Sequence, residues 1–184
     1  KQGAGVFTLA SANTYSGPTT VTAGELSLTN ATGSATSTGA VAVSGGAILS
    51  GTGSATGVVT LTNATVRPGV GGTGTLTLGG LVLSGTSVYE ADLGTASDLI
   101  VVTGVLTVDG TINVAAAAGF APGIFTVITY GGVLTDNRLD LGTSPGGYAP
   151  SIISGNGQVV LGGATNVALS ANPISPTIYS VPMS

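Results

Sequence analysis

Glu90 and Asp92 stand two positions apart in the segment Val88–Leu93. Alternation along a strand puts both carboxylates on one face. Paired carboxylates in that arrangement can serve as general acid and base, or as oxygen ligands for Ca²⁺. The plainer expectation is a solvent-facing pair. A sugar-cleaving site would need such a pair with a basic residue beside it, and Arg67 is distant in sequence. Asp98 is a further candidate metal ligand, with a structural role as its ordinary explanation. Asp136, Arg138 and Asp140 are expected to form a polar loop.

Other motifs fit by letter only. Gly69-Val70-Gly71-Gly72-Thr73-Gly74 spells G-x-G-x-x-G. A dinucleotide site needs a helix to follow, and Thr75–Leu83 alternates as a strand does. Asn30-Ala31-Thr32 and Asn63-Ala64-Thr65 spell glycosylation sequons, but Asn serves turns equally well. Thr60/Thr62 and Thr75/Thr77 suggest a flat threonine array, which fails because the equivalent positions elsewhere are Glu25/Ser27 and Ala40/Ala42. Tyr15, Phe120, Phe125, Tyr130 and Tyr148 could stack a ligand. Their scatter along the chain favours core and turn packing. No catalytic, cofactor-binding or metal-binding residue is assigned, and no cofactor is expected.

Composition narrows the function further. The 184 residues include 3 Lys or Arg and 7 Asp or Glu, a net charge of -4, and only 5% of the chain is charged. Nucleic acid requires basic patches, and Lys1, Arg67 and Arg138 are scattered. Without His or Cys there is no zinc finger, disulfide framework, Cys–His pair or Ser–His–Asp triad. The longest nearly apolar run, 114–122, is far short of the ~20 residues of a membrane-spanning helix. The opening Lys1-Gln2-Gly3-Ala4-Gly5 has neither Met nor an apolar stretch. The expectation is therefore an internal piece of a longer precursor, or a chain matured by signal removal.

The elements that must position these residues are short strands. Gly24–Leu28, Gly39–Val43, Gly57–Leu61 and Gly74–Leu78 each open on Gly and carry Leu or Val at the third and fifth places. Second apolar segments follow, such as 47–49, 65–66 and 81–83. Between them lie Gly45-Gly46, Gly71-Gly72, Gly79-Gly80, Asp109-Gly110 and Gly131-Gly132. Two arrangements fit, an antiparallel β-sandwich and a parallel β-solenoid. The solenoid explains why the pattern returns once per two or three strands. Aromatics are 4% of the chain, and stacked Leu, Val and Ile would fill a narrow interior without them. At ~20 residues per coil and ~4.8 Å of rise, roughly nine coils would make a rod on the order of 45 Å long.

Residues 1–28 carry more than a strand pattern. Lys1–Leu9, then Ala12-Asn13-Thr14-Tyr15-Ser16-Gly17-Pro18-Thr19-Thr20-Val21, then Ala23-Gly24-Glu25-Leu26, closely resembles the autotransporter-associated β-strand repeat of type V-secreted passengers. Val6-Phe7 and Pro18 depart from the usual Thr-Leu and Gly. Arg67-Pro68-Gly69 with Gly74–Leu78, Ser97–Gly104, and Phe120–Ile128 are similar to later passenger segments, so the resemblance covers most of 1 to about 163.

That resemblance implies a right-handed, single-stranded parallel β-helix that is exported to the bacterial outer surface as a stalk or adhesin scaffold. The expected division is a β-helix over 1–164 and a Pro-containing tail over 165–184, serving as linker or capping arm. The expected function is a non-enzymatic structural or adhesive segment rather than a complete autotransporter. Alternatives are a self-assembling subunit of a filament or surface layer and, further off, a polysaccharide-binding or polysaccharide-degrading β-helix. Expected partners are adjacent coils or identical subunits at the solenoid ends, and a host surface, neighbouring cell or polysaccharide. Nucleic acid and a membrane span are not expected.

Overall fold

The computed structural model describes residues 1–162, so the tail division at 165–184 lies outside the described residues. Fifteen strands follow one another and the described residues contain no helix. They are β1 (Val6–Leu9), β2 (Thr19–Val21), β3 (Glu25–Leu28), β4 (Val41–Ser44), β5 (Ile48–Gly51), β6 (Ser54–Thr62), β7 (Thr65–Pro68) and β8 (Thr75–Leu83). Then come β9 (Val88–Leu93), β10 (Leu99–Val102), β11 (Leu106–Ala116), β12 (Phe125–Tyr130), β13 (Leu134–Leu141), β14 (Ser151–Gly155) and β15 (Gln158–Gly162).

Pairing is parallel from β1 to β13, so the chain winds as a β-solenoid with three faces. The first face stacks β1, β3, β5, β7, β9 and the later halves of β11 and β13. The second stacks β2, β4, the later halves of β6 and β8, and the opening halves of β11 and β13. The third stacks the beginnings of β6 and β8 with β10 and β12. Register shifts within β6 and β11 bend single strands round a corner between two faces.

Alternation supplies the core, as the strand pattern predicts. On the first face Phe7, Leu26, Leu49, Val66, Tyr89, Ile112 and Leu141 are in register, one from each coil. From Leu26 to Ile112 this column is buried. Val41, Val59, Leu81 and Leu106 form the equivalent column on the second face, and Leu76, Ile100 and Ile128 on the third. Burying each such side chain contributes about 1.5–3 kcal/mol relative to exposure.

Three expectations are corrected here. The Gly-opened segments are not one element per coil. Leu26 lies on the first face, Val41 and Val59 on the second, and Leu76 on the third. The true coil is read from the first-face column, whose unequal steps run Leu26, Leu49, Val66, Tyr89, Ile112 and Leu141. Seven strands therefore stack on that face instead of roughly nine, giving a rod of about 29 Å over six steps. The interior also does use an aromatic residue, because Tyr89 is fully buried.

The two ends differ. The antiparallel alternative is wrong for the body of the fold, yet the chain reverses at its far end. There β15 pairs antiparallel with β12, and β14 pairs antiparallel with β15. Asn156-Gly157, both at positive φ (51° and 77°), make that two-residue hairpin turn, which needs residues tolerant of the left-handed region. At the other end, among the described residues, β1 pairs only with β3, and Val6 is 64% and Phe7 53% exposed. Phe7 occupies an inward column position with no coil on its other side among the described residues.

Candidate functional site

Charge gathers on the first face. Glu25 lies in β3, Arg67 in β7, and Glu90 and Asp92 in β9. Alternation in β9 turns Tyr89, Ala91 and Leu93 inward and Glu90 and Asp92 outward, as the sequence spacing predicts. The inter-coil register then sets Arg67 beside Glu90, and Glu90 pairs with Asn113 of β11. Arg67 Nη1 lies 3.6 Å from Glu90 Oε2, and Nη2 lies 3.3 Å from Glu25 Oε2. Ser50 Oγ donates to Glu25 Oε1. The reading of Arg67 as distant is therefore corrected. Arg67 and Glu90 are one coil apart, so the basic residue sits against the carboxylate pair.

Beside this row the face is concave. A groove of about 430 Å³ is lined by Arg67, Glu90, Asp92, Asn113 and the Gly71-Gly72 backbone, with Thr143 at its far end. Gly71 and Gly72 belong to the stretch 69–74, which only spells a nucleotide motif. A strand, β8, follows it, as expected. Asn113 Oδ1 accepts the Thr143 amide at 2.9 Å. Among the described residues no three of His, Cys, Asp and Glu gather as a metal site. The Arg67 pairs are partly exposed, so Arg67→Ala is expected to cost less than about 1 kcal/mol in urea unfolding, and less still at high salt.

Asp98 is placed differently from the other acids. It is fully buried where the chain turns from β9 into β10. Its carboxylate accepts the Gly74 amide at 2.7 Å and the Asp92 amide at 2.9 Å, joining two coils. Burial pushes its pKa up to about 6. The two backbone N–H bonds oppose that shift, the neighbouring Asp92 charge adds to it, and Arg67 weakly counters it. This is a staple at a strand entrance, with both oxygens already occupied.

The remaining candidates separate. Asp136, Arg138 and Asp140 do not form a loop: they lie in β13, where the chain bulges against β11. Arg138, at φ 78°, donates its amide to the Asp136 carboxylate, and its Nε lies 2.9 Å from Asp140 Oδ1 in an exposed pair. Phe120, Phe125 and Tyr148 come together, with ring centroids 5.4–6.1 Å apart. Tyr148 Oη donates to the Gly123 carbonyl, so this cluster fastens the last turns. Tyr15 and Tyr130 stand apart from it, Tyr15 exposed and bonded to Thr19. Asn30 is buried, with its side-chain amide bonded to Thr32, Gly33 and Ser54, the turn role expected for it. Asn63, at φ 49°, likewise serves a turn. Thr60/Thr62 and Thr75/Thr77 fall on different faces, so they form no common array.

Tyr89 is missing from the candidate aromatic residues of the sequence. Its signal there is its place in β9, one position before the outward Glu90, and therefore inward.

Residues 1–28 match the passenger-associated-transport-repeat family. Over 133 residues the chain is 42% identical to the adhesin BmaC autotransporter of Brucella suis biovar 1 (strain 1330), covering 66% of this chain and 4% of that protein. The chain thus spans a small fraction of the length of this relative. The resemblance read in Lys1–Leu28 is borne out: this stretch is a repeat of the autotransporter passenger kind.

Proposed function

We propose that this β-solenoid is a non-enzymatic segment of a passenger rod on the bacterial outer surface, holding or forming an adhesive surface away from the cell. The passenger repeat at 1–28 and the similarity to an autotransporter adhesin support the location and the adhesive role. The observation that carries the reading is the open column end. Phe7 is in register with five buried residues and is itself half exposed, so a neighbouring coil of the same kind would complete it. The second face adds to the adhesive reading. Its outward column, Thr20, Ala42, Thr60, Val82, Thr107 and Thr135, has no charge over six coils.

A polymer of identical subunits fits less well. Unpaired strand edges template stacking, but β15 runs antiparallel to β12, with β14 antiparallel beyond it, and this breaks the parallel ladder on the third face. Electron microscopy of the untagged chain across a range of concentrations separates the readings. Discrete short particles at every concentration are expected. Uniform fibres one solenoid wide would replace the stalk with a filament subunit.

A further inference from the structure

We propose that the first-face groove between Gly71-Gly72 and Thr143 is a binding site for a neutral saccharide. Its size falls within the range of small-ligand pockets. It crosses β7, β9 and β11 and reaches Thr143, a length of three inter-coil steps, or roughly 14 Å. That is room for two linked sugar rings laid along the axis.

The chemistry of the lining selects the ligand. Among the described residues the Asp92 carboxylate and Asn113 Nδ2 have no hydrogen-bond partner, and Glu90 commits one oxygen to Arg67. Open acceptors therefore lie beside an open donor, with the guanidinium at the edge. A sugar hydroxyl donates one hydrogen bond and accepts others, so neighbouring hydroxyls meet both kinds of group. An anionic sugar would face two carboxylates against one shared cation. A metal ion would find only two carboxylates. A peptide strand would find no open edge there, because β9 is paired on both sides by β7 and β11. Among the described residues no aromatic ring lines the groove. Affinity for a short oligomer thus rests on hydrogen bonds and falls on the order of millimolar. The site goes beyond the stalk role, since it would operate on the flank of the rod whatever the rod carries.

The test is saturation-transfer NMR on the untagged chain with maltotriose, cellotriose and mannotriose, and with trigalacturonate as an anionic comparison. At least one neutral trisaccharide is expected to bind saturably. Asp92→Ala and Glu90→Gln each weaken it tenfold or more, while Thr129→Ala on the third face leaves it unchanged. Asp92 makes no side-chain bond within the described fold, so its variant stays folded, which circular dichroism verifies. The assignment is overturned if no neutral trisaccharide binds, if the two variants bind as well as the parent, or if trigalacturonate binds best. Release of new sugar ends would overturn a pure binding site in favour of catalysis. None of these results depends on whether the chain forms particles or fibres.

Discussion

Tyr89→Ala lowers the stability of the chain by about 3–5 kcal/mol, the cost of emptying a large aromatic site in a close-packed interior. The ring is fully buried in the first-face column between the aliphatic Val66 and Ile112. Its hydroxyl donates to the Val127 carbonyl at 3.0 Å, joining the first face to β12 on the third across the interior. Burial, and secondarily the Asp98 charge, raise the phenol pKa well above its usual value, so the hydroxyl stays a donor. Tyr89→Phe keeps the packing and removes only this bond. It is expected to cost about 1–2 kcal/mol, mostly for the carbonyl left without its partner. Urea unfolding of the three proteins measures both steps. A loss below about 1 kcal/mol for the Ala variant would mean that the ring is not the filler the structure makes it.

The second large effect concerns Asp98 and pH. Asp98→Ala strands two part-buried amides, those of Gly74 and Asp92, at a cost of about 2–5 kcal/mol. Asp98→Asn is more informative, because it removes the titration and keeps the shape. The carboxyl has a folded pKa of about 6 against an ordinary value of 3.8, raised by burial. The folded state therefore binds the proton more tightly than the unfolded chain does. The resulting stabilisation is fully present below about pH 4 and is lost as pH rises through 6, a change of roughly 3 kcal/mol at most. Asn turns an NH₂ group toward one of the two amides that need an acceptor, so the variant is less stable than the parent at pH 4. The gap should narrow between pH 4 and pH 7, because only the parent loses stability there through this group. Subtracting the two unfolding profiles cancels the other acids. A gap that widens with pH would reverse the sign of the Asp98 shift.

The parts legible in the sequence are those fixed by neighbours along the chain. Alternating Leu and Val tell inward from outward positions, and Glu90 and Asp92 emerge together on the exposed side of β9 as that alternation requires. The passenger repeat is legible because an unbroken run, 1–28, carries it. What stays hidden depends on the alignment of one coil with the next. Corner lengths vary, and β6, β8, β11 and β13 each serve two faces. Equal-looking Gly-opened segments therefore land on different faces, and their spacing is not that of the coil. Arg67 comes to Glu90 only through that hidden register. The reversal at β14 and β15 is invisible for another reason: an antiparallel strand has the same alternation as a parallel one, and only the Asn156-Gly157 turn marks it.

The inter-coil hydrogen bonds of this fold run along the axis of the rod, and one coil carries the chain from Val66 to Tyr89, or from Tyr89 to Ile112. Tension applied between the two ends of the chain therefore loads one coil at a time, as in peeling tape, and not all ladders together. Each coil that yields gives up about 5 Å of folded length and releases roughly 75 Å of extended chain. A rod built this way is stiff under bending yet can let out tether many times its resting length, dissipating a sudden pull in steps rather than passing it to whatever is held at its tip.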